Sequence, residues 1–143
     1  PLPLFVDSLH KTCAGESRAR IGPAALADYV GRALLEEKGT ASHLAERGSG
    51  SSVEVVTVDV LCSRMDLAPT YIKADLEGFE PAMIRGARET IRRHKPRVAV
   101  TTYDHADIAG EVASLLRNFD PTYRIRTKGR MPGTGAPFLL HAW

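Results

Sequence analysis

The chain has 143 residues, enough for one domain. Its 43% hydrophobic and 25% charged composition excludes a collagen-like, coiled-coil or wholly disordered chain. Lys plus Arg number 19 against 17 Asp plus Glu, a net charge of +2, which is too balanced to argue for a nucleic-acid partner or an anionic membrane surface. No apolar run approaches the roughly 18–20 residues of a membrane span. The opening PLPLFVDSLH lacks the basic region and apolar core of a signal peptide. Cys13 and Cys62 form no CxxC and read as reduced thiols, which fits a cytoplasmic setting. The chain starts at Pro1 rather than Met, so the expectation is a processed chain or a portion of a longer one.

In chain order, residues 1–52 read as a helical and linker region. Leu26, Tyr29, Val30, Ala33 and Leu34 predict a helix from Pro23 to Lys38 that Gly39 stops. GSGSS at 48–52 predicts a flexible connector. Residues 53–143 read as a second region. VEVVTVDVL at 53–61 is β-branched and predicts a strand, and DLAPT at 66–70 a turn. TYIKADL at 70–76 and RVAVTTY at 97–103 are short strands on either side of a helix at 81–94. That helix opens with Pro81, carries Met83, Ile84, Ala87 and Ile91, and stops before Pro96. Ile108, Val112, Leu115, Leu116 and Phe119 give the cleanest amphipathic helix, 107–119, with Asp107 as its expected N-cap. TYRIRT at 122–127 and APFLLHAW at 136–143 flank the Gly/Pro-rich loop 128–137 and predict an antiparallel hairpin. Strands alternating with helices imply an α/β fold with parallel strands.

KADLEGFE, Lys73 to Glu80, carries the chemistry. Asp75, Glu77 and Glu80 gather where a strand ends and a helix begins, and ligands of open α/β sheets bind at the carboxyl ends of strands. Asp75 and Glu77 share a side if the strand persists. Such a pair can hold Mg²⁺ through oxygen or take a proton from a substrate hydroxyl. Gly78 frees the backbone to turn. The plainer alternative is that Glu77 and Glu80 complement the dipole of the next helix. His105, with Tyr103 and Asp104, follows the 97–103 strand and suits a base facing the same pocket; a solvated loop histidine is the alternative. The histidines and cysteines lack the spacing of a zinc site. Arg85, Arg88, Arg92, Arg93, Lys95 and Arg97 read as a solvated helix face, and Arg124, Arg126, Lys128 and Arg130 as edge-strand charges or contacts for an anionic or sugar substrate.

The string YIKADLEGFEPAMIRGARETIRRHKPRVAVTTY resembles the signature of the FkbM-type, S-adenosylmethionine-dependent methyltransferases. Lys73, Asp75, Glu77, Gly78, Glu80, Gly86, Ala87, Lys95 and Pro96 occupy its positions. TVDVL with Asp59 is similar to the family's segment before the signature, and FLLHAW to its closing strand. Asp104 departs from the pattern, shifting the family's histidine onto His105 by one residue. The resemblance covers 53–143. It implies a class I methyltransferase (Rossmann-like) sheet, mostly parallel with a C-terminal antiparallel hairpin, and this chain would be its C-terminal portion with the N-terminal half missing. It further implies an O-methyltransferase acting on a small-molecule or sugar hydroxyl. Asp75, Glu77 and His105 would be catalytic, and Asp59, Lys73 and Gly78 would border the cofactor, S-adenosylmethionine.

No Gly-rich turn of the cofactor-cradling kind occurs, because GSGSS and GTG at 133–135 lack the flanking strand and helix. The isolated chain is therefore expected to bind S-adenosylmethionine weakly or not at all. Two rival readings follow: a non-catalytic remnant or binding module, and a Mg²⁺-dependent hydrolase using the DLEGFE carboxylates.

Overall fold

The computed structural model describes residues 2–36, 43–45, 51–105 and 107–143. These fall into two compact units, one within 1–25 and 30–55, the other within 26–29 and 56–143. The first carries α1 (Pro3–Thr12) and most of a four-stranded sheet ordered β1-β4-β2-β3, formed by β1 (Ala25–Leu26), β2 (Gly31–Glu36), β3 (His43–Ala45) and β4 (Ser51–Val56). The helix expected from Pro23 to Lys38 is not formed within the described residues. The segment is extended, and β2 pairs antiparallel with both β3 and β4. Ala33 opposes Val53, while Arg32 points out and donates to the Ser52 hydroxyl at 2.9 Å. Cross-strand packing therefore overrides the helix propensity of an Ala/Leu/Glu-rich stretch. Residues 48–50 of the expected connector lie outside the described residues, and Ser51 and Ser52 begin β4.

The second unit holds α2 (Val58–Met65), β5 (Tyr71–Ala74), α3 (Glu80–Arg85), α4 (Arg88–His94), β6 (Arg97–Thr101), α5 (Ile108–Phe119), β7 (Ile125–Arg130) and β8 (Pro137–Ala142). Its sheet order is β5-β6-β8-β7. β5 and β6 run parallel with Tyr71 opposite Arg97, as their separation by a helical segment requires, and β7 and β8 form the expected antiparallel hairpin. β6 pairs antiparallel with β8, so the sheet is mixed rather than mostly parallel. β5 stands at its edge.

The expected strand 53–61 is cut short. The Thr57 hydroxyl accepts the Val60 N–H at 3.0 Å and starts α2 two residues after the buried Val55. The expected helix 81–94 is two helices, broken at Gly86 and Ala87. Asp107 precedes α5 but makes no side-chain cap.

The core lies between the sheet and its helices. Val98, Val100, Leu140 and Ala142 meet Met83, Ile84, Ile91, Ile108, Val112 and Leu116. Ile108, Val112 and Leu116 recur every four residues, which places all three on one face of α5. Each fully buried aliphatic side chain contributes about 1.5–3 kcal/mol. Asp120 ends α5, takes the Thr122 N–H at 2.9 Å and pairs with Lys95 Nζ at 2.6 Å, tying the ends of α4 and α5 together. The Lys95 ammonium, reinforced by Thr122, holds the Asp120 carboxyl down at about 2.

Gly86 is required by close approach. A Cβ there would sit 2.2 Å from the Ala27 carbonyl oxygen and 3.2 Å from Thr57 Cβ. Gly86→Ala should therefore destabilise the protein by about 3 kcal/mol, since backbone must move. Gly110→Ala, in α5 with open space around it, should stabilise by about 0.5–1 kcal/mol. Urea unfolding of the two variants checks the contrast, and equal effects would exclude a packing role for Gly86.

Candidate functional site

β5 ends at Ala74 and β6 at Thr101, side by side and parallel, so the residues that follow emerge at one end of the sheet. The chain after β5 does not stay extended. Glu77 and Gly78 both take positive φ, +51° and +95°, and the turn closes through the Phe79 N–H to the Leu76 carbonyl at 3.2 Å. A left-handed Glu is a strained position that surrounding contacts must enforce. Glu80 enforces it. This fully buried carboxylate accepts the Leu76 N–H at 2.6 Å with Oε1 and the Gly78 N–H at 3.1 Å with Oε2.

Thr101 joins the two strand ends. Its hydroxyl lies 2.9 Å from Asp75 Oδ1 and 3.1 Å from Glu80 Oε1, and its single proton serves both. Tyr103 donates to Asp75 Oδ1 at 3.2 Å, and its ring stacks on Phe138 of β8 with centroids 5.1 Å apart. Desolvation, with Asp75 next and Glu77 and Asp104 beyond, pushes the Tyr103 phenol up to about 12, so it stays a proton donor at working pH. The neighbouring Thr102 hydroxyl donates to the Pro137 carbonyl at 2.7 Å, pinning this stretch to β8.

The result is a concentration of negative charge. Asp75, Glu77, Glu80 and Asp104 converge, and Lys73 Nζ reaches Asp75 Oδ2 at 3.9 Å. Desolvation, then the charges of Asp104 and Asp75, raise the Glu77 carboxyl above the usual carboxylate range. Asp104 Oδ2 is buried without a hydrogen-bond partner. The His105 ring is exposed and lies over Gly78, where Nε2 and Cδ2 would be 3.6 Å from a Cβ. A base of raised pKa in a negative field suits proton abstraction and favours a cationic ligand.

Five of the six residues singled out by sequence therefore come together: Asp75, Glu77, His105, Lys73 and Gly78. Period-two alternation does not join Asp75 and Glu77; the left-handed turn does. Asp59 goes elsewhere. Its carboxylate accepts the N–H groups of Glu89 at 3.1 Å and Thr90 at 2.7 Å, capping α4. Asp104, expected to face the same pocket, stands beside Glu77; Glu80 as the loop's internal clamp and Thr101 as the bridge went unread. The only available signal was the carboxylate spacing in DLEGFE. Arg85, expected on a solvated face, pairs with Asp28 at 2.8 Å and Glu111 at 2.6 Å. Among the described residues no group of three or more acidic, His or Cys side chains is arranged to hold a metal ion, so the magnesium-hydrolase reading finds no ligand set there. Among them, too, no helix is long and apolar enough to cross a membrane.

Comparison with known proteins bears on this site. No curated protein matches the chain. A solved structure titled as methyltransferase FkbM from Methylobacillus flagellatus KT superposes with a TM-score of 0.73 at 21% identity, over 100% of this chain and 35% of that one. That likeness shows the fold, and the chain spans about a third of its relative's length. The family model described as the methyltransferase FkbM domain matches residues 12–124, a span that includes Lys73, Asp75, Glu77, Gly78, Glu80, Asp104 and His105. The chain belongs to the FkbM methyltransferase domain family.

Proposed function

We propose that the chain contributes the acidic half of an S-adenosylmethionine-dependent O-methyltransferase site whose acceptor is a small-molecule or sugar hydroxyl. The observation that carries this reading is the convergence of Asp75, Glu77, Glu80 and Asp104 at the carboxyl ends of two parallel strands. S-adenosylmethionine, when bound, supplies an electrophilic methyl group on a positively charged sulfur. The residues present fit that charge. Asp104 Oδ2 is an orphaned buried acceptor, and Asp75, Glu77 and Asp104 together would hold a sulfonium. Asp59, committed to α4, plays no part in this reading.

In this scheme Glu77 takes the proton from the acceptor hydroxyl as the oxygen becomes nucleophilic. Its raised pKa brings it closer to that task than an ordinary carboxylate. Asp75 is fixed by Thr101 and Tyr103 and orients the acceptor. His105, over Gly78, is a second proton carrier. Glu80 acts through the backbone it clamps and is a positioning residue.

Three tests follow. In a methyl-transfer assay over a panel of hydroxyl acceptors, read by mass spectrometry, Asp75→Asn and Glu77→Gln should cut turnover roughly 10²–10⁴-fold. Near-parental turnover would exclude a catalytic role. In calorimetric titration, weak binding of S-adenosylmethionine should weaken about tenfold further in Glu77→Gln, roughly 1.4 kcal/mol. The uncharged thioether S-adenosylhomocysteine should not discriminate between parent and variant. Equal effects on both would remove the sulfonium site, and no binding of either would favour the non-catalytic reading.

The third test concerns pH. Because Glu77 is raised in the folded state, its neutral form is the better tolerated one, and the stability it confers is lost as pH rises through the raised value. Glu77→Gln should therefore melt higher than the parent at neutral pH and match it below about pH 4. Glu80→Ala should instead lower stability by about 2 kcal/mol at neutral pH, leaving two half-buried N–H groups without their acceptor.

A further inference from the structure

The other end of the same sheet carries a feature that the methyl-transfer reading leaves unused. The face bearing Val98, Val100, Leu140 and Ala142 is packed by helices. The pairing register places Tyr71 beside Arg97, and Arg126 beside His141, on the opposite face. Tyr71 and Arg97 are the first residues of β5 and β6, whereas Asp75 and Tyr103 follow the last ones, so the two sites occupy opposite strand ends.

Tyr71, Arg97, Arg126, Lys128, His141 and Trp143 line a cleft of about 460 Å³, within the range of small-molecule sites. Its chemistry is one-sided. The lining holds three permanent cations and no Asp or Glu side chain. Among the described residues Arg97, Arg126 and Lys128 enter no salt bridge, although Lys73, Arg85, Arg88 and Lys95 of the same unit do. His141 Nε2 is shielded from solvent and has no hydrogen-bond partner. Tyr71 and Trp143 are half exposed, offering two aromatic surfaces at its walls. Unneutralised guanidinium groups favour a phosphate through charge-assisted, bidentate hydrogen bonds, and exposed Tyr and Trp rings favour a flat ring.

We propose that this cleft binds a phosphomonoester carrying a planar ring, of the size of a nucleoside monophosphate. Arg97, Arg126 and Lys128 hold the phosphate, the His141 ring nitrogen meets a polar atom of the ligand, and Tyr71 and Trp143 stack on the ring. The proposal stands on the sheet's amino-terminal end alone and does not depend on the methyltransferase reading.

Trp143 is the chain's single tryptophan, so its fluorescence reports on the cleft. Titration with adenosine monophosphate at low ionic strength should give a saturable change. Adenosine, which lacks the phosphate, and inorganic phosphate, which lacks the ring, should each bind at least about tenfold more weakly. The Arg126→Ala, Lys128→Ala double variant changes two exposed side chains of β7 and should keep the parental far-ultraviolet circular dichroism while losing at least tenfold in affinity. Asp75→Asn should leave nucleotide binding unchanged. Absence of a saturable signal at millimolar nucleotide, checked by calorimetry, would overturn the proposal. So would equal affinity for inorganic phosphate, which would mean an adventitious ion only, or undiminished binding by the folded double variant.

Discussion

Glu80 is fully buried, and its oxygens are occupied by the half-buried Leu76 and Gly78 N–H groups that the turn between β5 and α3 would otherwise leave without a protein partner. Burying a carboxylate is costly unless it is hydrogen-bonded, and a carboxylate with two backbone donors and a hydroxyl has the partners it needs. The geometry of the candidate site depends on this one interaction. With the turn clamped, Glu77 is held left-handed and Gly78 passes beneath His105. Thr101, sharing its hydroxyl between Glu80 and Asp75, transmits the arrangement to the end of β6.

The clamp sits on a rigid base. Gly86 brings the α3–α4 break against the Ala27 carbonyl, and Asp59 closes the N-terminus of α4. Arg85 ties Asp28 and Glu111 to the same region. A residue expected near a cofactor thus serves the packing behind the site. The Gly86–Ala87 step has a direct steric reason: one side chain would collide with backbone, and the next is fully buried in the core.

The charge of the second unit is distributed unevenly over its sheet. Carboxylates collect beyond the carboxyl ends of β5 and β6, and Arg97, Arg126 and Lys128 gather on one face near their amino ends. Two clefts of the described residues, of about 460 and 530 Å³, are lined without the acidic cluster. The second of these lies beside Asp59, Cys62 and His94, where burial pushes the Cys62 thiol up and makes it less reactive. The acidic site is recognised by its electrostatics and strand-end position.

Local sequence was sufficient wherever one element's pattern answered to one environment. Ile108, Val112 and Leu116 repeat at the helical period and all enter one core, so α5 was legible. The helix between β5 and β6 requires a parallel crossover, and the Gly/Pro-rich stretch before β8 permits a hairpin. The acidic motif and its place at a strand end were legible for the same reason. Pairing partners distant in the chain decided the rest. Residues 31–36 have helix-forming composition but become a strand because Val53 and Val55 offer a partner edge. Thr57 ends a Val-rich run because its hydroxyl finds the Val60 N–H. Which carboxylate turns inward as a clamp, which stands raised beside Asp104 and which caps a remote helix depends on Thr101, Tyr103 and the N-terminus of α4, contacts that no local spacing encodes. The sequence by itself determined the residue types available to the site; only the tertiary structure decided their roles, because burial and through-space charge are properties of the assembled neighbourhood.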